Sequence, residues 1–139
     1  MLLIIKPVKQ EPNYCGAACL QMVLQRFKIK ISQKKLAKDC KYTETGISPT
    51  AIIRALLKYK IHSSYRHYPG IRKSVEDYLE EYKNPIIIGT EEHYLLIVGY
   101  TEKMFYVIDP ADGKQHLIEK EIIYSLMKDM IIIKHKIGR

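Results

Sequence analysis

Tryptophan is absent, phenylalanine occurs twice and cysteine three times, and no apolar run approaches the roughly 18 residues that a membrane-spanning helix needs. Each shortage removes a class. Without a long apolar run, association with a membrane has to come through a partner. An odd cysteine count, at positions 15, 19 and 40, does not make a disulfide framework, so a reducing compartment, the cytoplasm, is expected. Met1-Leu2-Leu3-Ile4-Ile5 is apolar, but no basic residue precedes it and Lys6-Pro7 closes it. That is too short for the core of a secretory signal, and it reads as a first strand or an extended arm. Zinc-finger spacing, a helix-turn-helix signature and the stacking aromatics of RNA-binding sheets are all missing, so the net charge of +8 does not argue for nucleic acid. The lysines are dispersed. Their densest group, Lys34-Lys35-Leu36-Ala37-Lys38, reads as the solvated face of a short helix, and the charge favours an acidic partner without identifying it.

What is present is a soluble globular composition, 47% hydrophobic and 27% charged, without repeats or low-complexity linkers. Residues 1–139 are expected to form one domain, long enough to bury about two-thirds of the unfolded surface. The first part of the chain has helical periodicity. Leu20, Val23, Leu24 and Phe27 form a stripe on a helix that starts at Cys15 and ends near Phe27-Lys28. Ser32 caps a helix over Gln33 to Asp39, and Ser48-Pro49 starts another that ends near Tyr59, with Ile52, Ile53, Leu56 and Leu57 facing the core. A weak strand is expected at His62 to Tyr68, a turn at Pro69-Gly70 and a helix over Ile71 to Tyr82. The period then changes from 3.6 to 2. Strands are predicted at Pro85–Gly89, His93–Tyr100, Met104–Asp109, Gln115–Ile118 and Met130–His135, with one helix over Glu119 to Lys128. Helices followed by an antiparallel sheet make an α+β layout.

The chemistry concentrates at Gln10-Glu11-Pro12-Asn13-Tyr14-Cys15-Gly16-Ala17-Ala18, where a polar loop runs into a helix that begins at a cysteine. Free N–H groups and the positive dipole end of a helix N-terminus lower a thiol's pKa, and Gly16 and Ala17 leave room beside the sulfur. Gln10 can bring an amide donor to a developing oxyanion. Taken alone, a cysteine in such a stretch is more often a small core residue. A nucleophile also needs a base and a group to orient it, and the downstream sequence offers both. His93 opens one predicted strand and Asp109 closes the next, so an antiparallel hairpin sets imidazole and carboxylate side by side. Cys19 reads as core packing. A metal site from Cys15, Cys19 and Cys40 is disfavoured, because Cys40 has no second ligand near it in sequence. No metal and no cofactor are expected. His62, His67, His116 and His135 have no partner visible in the sequence and read as surface histidines.

Gln10 with Cys15-Gly16-x-Ala18-Cys19-Leu20-x-Met22-Val23-Leu24, Gly46-Ile47-Ser48 before a helix, His93-Tyr94-Leu95-Leu96-Ile97-Val98-Gly99-Tyr100, and Ile108-Asp109-Pro110-Ala111-Asp112-Gly113 together resemble a known family. It is that of the papain-like double-glycine leader peptidases, the cysteine-peptidase domains of bacteriocin-processing ABC exporters. The resemblance spans residues 5 to 135 in one order. It implies a papain-like fold, with a helical N-terminal half carrying Cys15 and an antiparallel sheet half carrying His93 and Asp109. It implies cleavage after a Gly-Gly-type pair that ends a leader, with Gln10 as oxyanion donor and with Ile47 and Ser48 on a loop near the substrate groove. Tyr14, Gly16 and Tyr94 adjoin the candidate catalytic residues and are read as groove residues too, with Tyr94 alternatively a sheet residue facing the other side. The expected partners are a peptide or protein substrate, including an acidic leader helix, and a membrane exporter. Two positions depart from the pattern. Gln10 lies five residues before the cysteine where six is usual, and Tyr14 stands where aspartate usually precedes it. Two rival readings share the motif: a cysteine hydrolase or acyltransferase of amidase or toxin type, and an inactive leader-binding module. The intact Cys15, His93 and Asp109 argue against the module.

Overall fold

Three serines decide where helices begin. Ser32, Ser48 and Ser74 each turn an extended residue into an N-cap, accepting the N–H of Lys35, Ala51 and Asp77. The computed structural model describes residues 1–12, 14–42, 46–67, 73–91 and 93–138. Its elements are α1 (Cys15–Arg26), α2 (Gln33–Asp39), α3 (Pro49–Lys58), β1 (Ile61–His67), α4 (Val75–Tyr82), β2 (Ile86–Gly89), β3 (Tyr94–Tyr100), β4 (Met104–Asp109), β5 (Lys114–Glu119), α5 (Lys120–Leu126) and β6 (Asp129–Lys136). The strands form one sheet in the order β1-β6-β2-β3-β4-β5, with every neighbouring pair antiparallel. Among the described residues no helix is long and apolar enough to cross a membrane.

Several boundaries differ from the sequence reading, each for a local reason. The fourth helix starts at Val75, not Ile71, because Ser74 caps it; residues 71–72 and the expected Pro69-Gly70 turn lie outside the described residues. The core side of α3 is Ala51, Ile52, Ala55 and Leu56, while Leu57 is exposed, since the turn after Ser48 rotates the stripe by one residue. The helix expected to reach Lys128 stops at Leu126, where Met127 becomes extended and Lys128 donates to the Gly89 carbonyl. The sheet is not confined to the C-terminal part. β1, from between two helices, pairs with β6 at one edge.

The core is continuous through both layers. α1 is buried over most of its circumference, with Ala17, Ala18, Cys19, Leu20, Met22, Val23 and Leu24 all inaccessible, so its front end cannot shift independently of the sheet. β2 and β3 are buried along their length and β5 is exposed, as expected of central and edge strands. Before α1, the N-terminal arm lies along the end of β3. Leu3 donates to Val98 O at 2.8 Å and Tyr100 donates to Met1 O at 2.9 Å, with Leu3 and Ile5 buried and Ile4 exposed. Gly99 permits this approach, since a Cβ there would stand 2.8 Å from Leu2 Cα. Asp39 ties α2 to α3: Tyr59 Oη donates to it at 2.6 Å, and Lys35 and Lys58 pair with its other oxygen.

Candidate active site

Cys15 is the first residue of α1, and its N-cap, Tyr14, makes no side-chain cap hydrogen bond. The β3–β4 register pairs Leu96 with Ile108, and continuing it brings Asp109 level with Leu95, two residues from His93. His93 Nε2 and Asp109 Oδ1 are 2.7 Å apart, with both side chains about one-third accessible or less. That bond leaves Nδ1 as the ring nitrogen not used by Asp109, and the imidazole and the Cys15 sulfur line the same cleft and influence each other's titration. Sulfur, imidazole and carboxylate are thus gathered at one place.

Each member of the group has a neighbour that fixes it. Thr90 does this for the histidine: its N–H and its hydroxyl both donate to the His93 carbonyl, at 2.8 and 2.9 Å, which fixes the backbone that presents the ring. Asp109 Oδ1 also accepts the N–H of Ala111 at 2.9 Å, in an Asx turn closed by Gly113. Burial works to raise the Cys15 pKa, but the His93 hydrogen bond, the N–H of Tyr94, the imidazolium charge and the N–H of Gly16 outweigh it, and the thiol is lowered from its ordinary 9.0. For His93 the hydrogen bond to Cys15 is the largest influence, and with that to Asp109 it overcomes burial and raises the imidazole from 6.5 to about 9. The other thiols go the opposite way. Burial raises Cys19, enclosed in the core, and lifts Cys40 to about 11. Only Cys15 among the three has the electrostatics of a nucleophile.

Cys15, Ile47, Glu91, His93, Tyr94 and Asp129 are among the residues that line a cleft of about 230 Å³. Tyr94 forms its floor. Its hydroxyl donates to Ile47 O at 2.6 Å, and a Cβ on Gly16 or on Gly89 would come within 3.3 Å of its ring. The ring is therefore wedged between two glycines and tied at its tip. Asp129 reaches the same cleft from β6 and accepts a hydrogen bond from Tyr65 Oη, with His67 Nδ1 3.2 Å away.

The remaining expected groove residues lie as follows. Ile47 lines the cleft, whereas Gly16 is not among its lining and packs beneath Tyr94 and Ile47. Ser48 caps α3, and Tyr14 packs edge-on against Tyr42 over a neighbouring depression rimmed by Lys34, Lys38 and Lys41. Gln10 is brought beside the Asp109 turn by its backbone, its N–H donating to Pro110 O at 2.7 Å. Its Oε1 is buried and has no partner among the described residues. The histidines read as unpartnered in the sequence do have partners. His67 meets Asp129, His116 meets Asp112 at 2.7 Å, and His62 and His135 contact each other edge-on across β1 and β6. Asp129, Glu91 and Thr90 were not legible as cleft residues. Thr90 lay in a visible polar connection, but nothing in the sequence marks Asp129, which arrives through strand order alone.

Residues 5–136 match the Peptidase C39 family. A double glycine motif protease from an AMS/PCAT transporter, solved in complex with the leader peptide, superposes with a TM-score of 0.79 at 23% identity, over 97% of this chain and 94% of that one. The peptidase domain of Streptococcus ComA, a bifunctional ABC transporter of a quorum-sensing pathway, gives 0.78 at 20% identity, over 94% and 98%. A putative C39-like peptidase from Bacillus anthracis gives 0.74 at 15% identity, over 94% and 96%. No curated protein sequence matches.

Proposed function

Because the chain belongs to the peptidase C39 family, we propose that this cysteine peptidase works through Cys15, His93 and Asp109 and removes a leader after a Gly-Gly-type pair. The Cys15 thiolate attacks the carbonyl carbon of the residue before the scissile bond. The N–H of Cys15 and the Gln10 amide receive the negative charge that develops on the carbonyl oxygen. The C–N bond breaks as the His93 imidazolium gives its proton to the leaving amine, and a thioester remains on Cys15. His93, neutral at that point, takes a proton from water, the hydroxide displaces the sulfur, and acid product and thiol are restored. Asp109 holds the ring so that Nδ1 faces sulfur throughout.

The observation that carries this reading is the Cys15–His93–Asp109 group, in which the thiol is lowered and the imidazole raised by each other. Restriction to small residues is supported by the pinned Tyr94 ring, which stands with Cys15 in the cleft and takes up space beside the sulfur. A leader peptide as ligand, and an exporter as the assembly in which cleavage happens, are carried over from what the compared structures are. The lysines rimming the depression beside Tyr14 suit a leader with acidic residues.

Peptides with Gly-Gly, Gly-Ala, Ala-Ala and Leu-Leu before a fixed cleavage point test the proposal. Turnover is expected to fall in that order and to vanish in Cys15→Ala. If a cysteine electrophile labels Cys15 while no peptide is cut, the chain is a hydrolase or acyltransferase of another kind. If Leu-Leu is cut as fast as Gly-Gly, the Tyr94 argument fails.

A further inference from the structure

Gln33 is one of three buried polar residues among the described residues, with 4% of its surface exposed, and it is the first residue of α2. Both ends of its side-chain amide are used, and both on one short stretch. Its Nε2 donates to Lys9 O at 2.9 Å, and its Oε1 accepts the N–H of Glu11 at 2.8 Å. In an extended chain the carbonyl of one residue and the N–H of the second residue after it point to the same side, while the residue between them presents its own N–H to the other. Gln33 therefore takes the place of a neighbouring strand along one side of Lys9 and Glu11. On the opposite side the N–H of Gln10 meets Pro110 O at 2.7 Å. The Asp109 turn also closes down over this stretch, since a Cβ on Gly113 would stand 2.9 Å from Lys9 N and Cα. Gln10 is thus held from both halves of the molecule: by Gln33 from the helices, and by the residue after Asp109 from the sheet.

We propose that Gln33 is a positioning residue for the oxyanion hole, fixing the backbone at Lys9 and Glu11 so that the Gln10 side chain meets the carbonyl oxygen only in the tetrahedral state. This rests on the reading of Gln10 as oxyanion donor. Preorganised donors stabilise a transition state because they need no rearrangement as charge appears, and a displacement of about 1 Å can cost about 100-fold in rate. Lys9 and Glu11 are exposed residues, but both of their hydrogen bonds to Gln33 are part-buried, so losing Gln33 costs some stability as well as position, and kinetics must separate the two.

The test uses Gln33→Met, which keeps the volume and loses both hydrogen bonds, and Gln33→Glu, which keeps the acceptor for Glu11 and loses the donor for Lys9. Each is measured on a synthetic peptide with Gly-Gly before the cleavage point, alone and combined with Gln10→Ala. Gln33→Met is expected to lower kcat at least tenfold with KM within about threefold, and Gln33→Glu to fall between it and the parent. Alkylation of Cys15 by iodoacetamide builds no oxyanion and should keep its rate, while affinity for a peptide aldehyde, which does build one, should fall in step with kcat. In the Gln10→Ala background Gln33→Met should cost nothing more. If Gln10→Ala is impaired about 100-fold and Gln33→Met is not, the inference is overturned and Gln10 keeps its role. An equal loss from Gln33→Met with and without Gln10 also overturns it, as a merely structural effect. If Gln10→Ala is itself unimpaired, the oxyanion reading falls and this inference with it.

Discussion

At the scale of single residues, the proposed catalytic pair of Cys15 and His93 would set the pH range of the chemistry. The thiol is lowered from 9.0 and the imidazole raised to about 9, so between the two values the pair is held as thiolate and imidazolium. As pH falls through the lowered thiol value the sulfur gains a proton and nucleophilicity is lost. As pH rises past about 9 the ring loses the proton that the leaving amine needs. A bell-shaped kcat/KM profile with its alkaline limb near pH 9 is the expected result. His93→Ala should move the rise of Cys15 alkylation with pH up toward 9, since it removes the group that most lowers the thiol. At pH 7 iodoacetamide should label Cys15 and spare Cys19 and Cys40, both raised by burial; mass mapping reads this directly. The residues of this group were legible in sequence because each sits at the end of a strongly patterned element. Tyr94 was legible only as a neighbour of His93. That its ring forms the cleft floor depends on Gly16 and Gly89, from α1 and β2, leaving the space it occupies.

At the scale of elements, the turn after β4 does more than reverse the chain. It carries Asp109, offers Pro110 O to Gln10, and through Gly113, at φ +67°, lies directly on the Lys9 backbone. Gly113→Ala meets both a left-handed backbone, costing about 1 kcal/mol, and a backbone clash that only separation can relieve. It should therefore lower both Tm and kcat. Ser74→Ala, at the start of α4, is the control. Loss of that cap should cost about 1 kcal/mol of stability and leave kcat unchanged. Thermal unfolding with steady-state kinetics on the two variants separates positional from global effects. The caps at Ser32 and Ser48 and the alternating strands could be read ahead of the structure, as could the turn at Asp109 to Gly113. The start of α4 and the end of α5 could not. They depend on Ser74 competing with earlier turns and on Lys128 finding a carbonyl of β2, which local pattern does not contain.

At the scale of the whole molecule, a net charge of +8 sits on a chain whose proposed substrate carries an acidic leader. Exposed charges separated by several ångströms are screened at high salt, with a Debye length near 3 Å at 1 M against about 10 Å at 0.1 M. KM for an acidic leader peptide should therefore rise steeply between low and high salt, while kcat holds. A neutral-leader analogue should lose that dependence, and equal salt responses for both peptides would remove charge from the account of binding. The depression beside Tyr14, with Lys34, Lys38 and Lys41 around it, is where lysine-to-glutamine changes should flatten the response.

The sequence alone determined the order of helices and strands, the α+β class, and which thiol stands at a helix start with a histidine and an aspartate at hairpin spacing. These are properties of short stretches, carried by period, capping and turn chemistry. Strand order was decided only in three dimensions. β6 inserts between β1 and β2, and this brings Asp129 to the cleft and gives His67 its partner. The grip on Gln10 was decided there too, since a glutamine on α2 and a proline carbonyl after β4 reach it from 23 residues downstream and from 100. Contacts between distant stretches follow from which faces must be buried together. No local pattern encodes that choice.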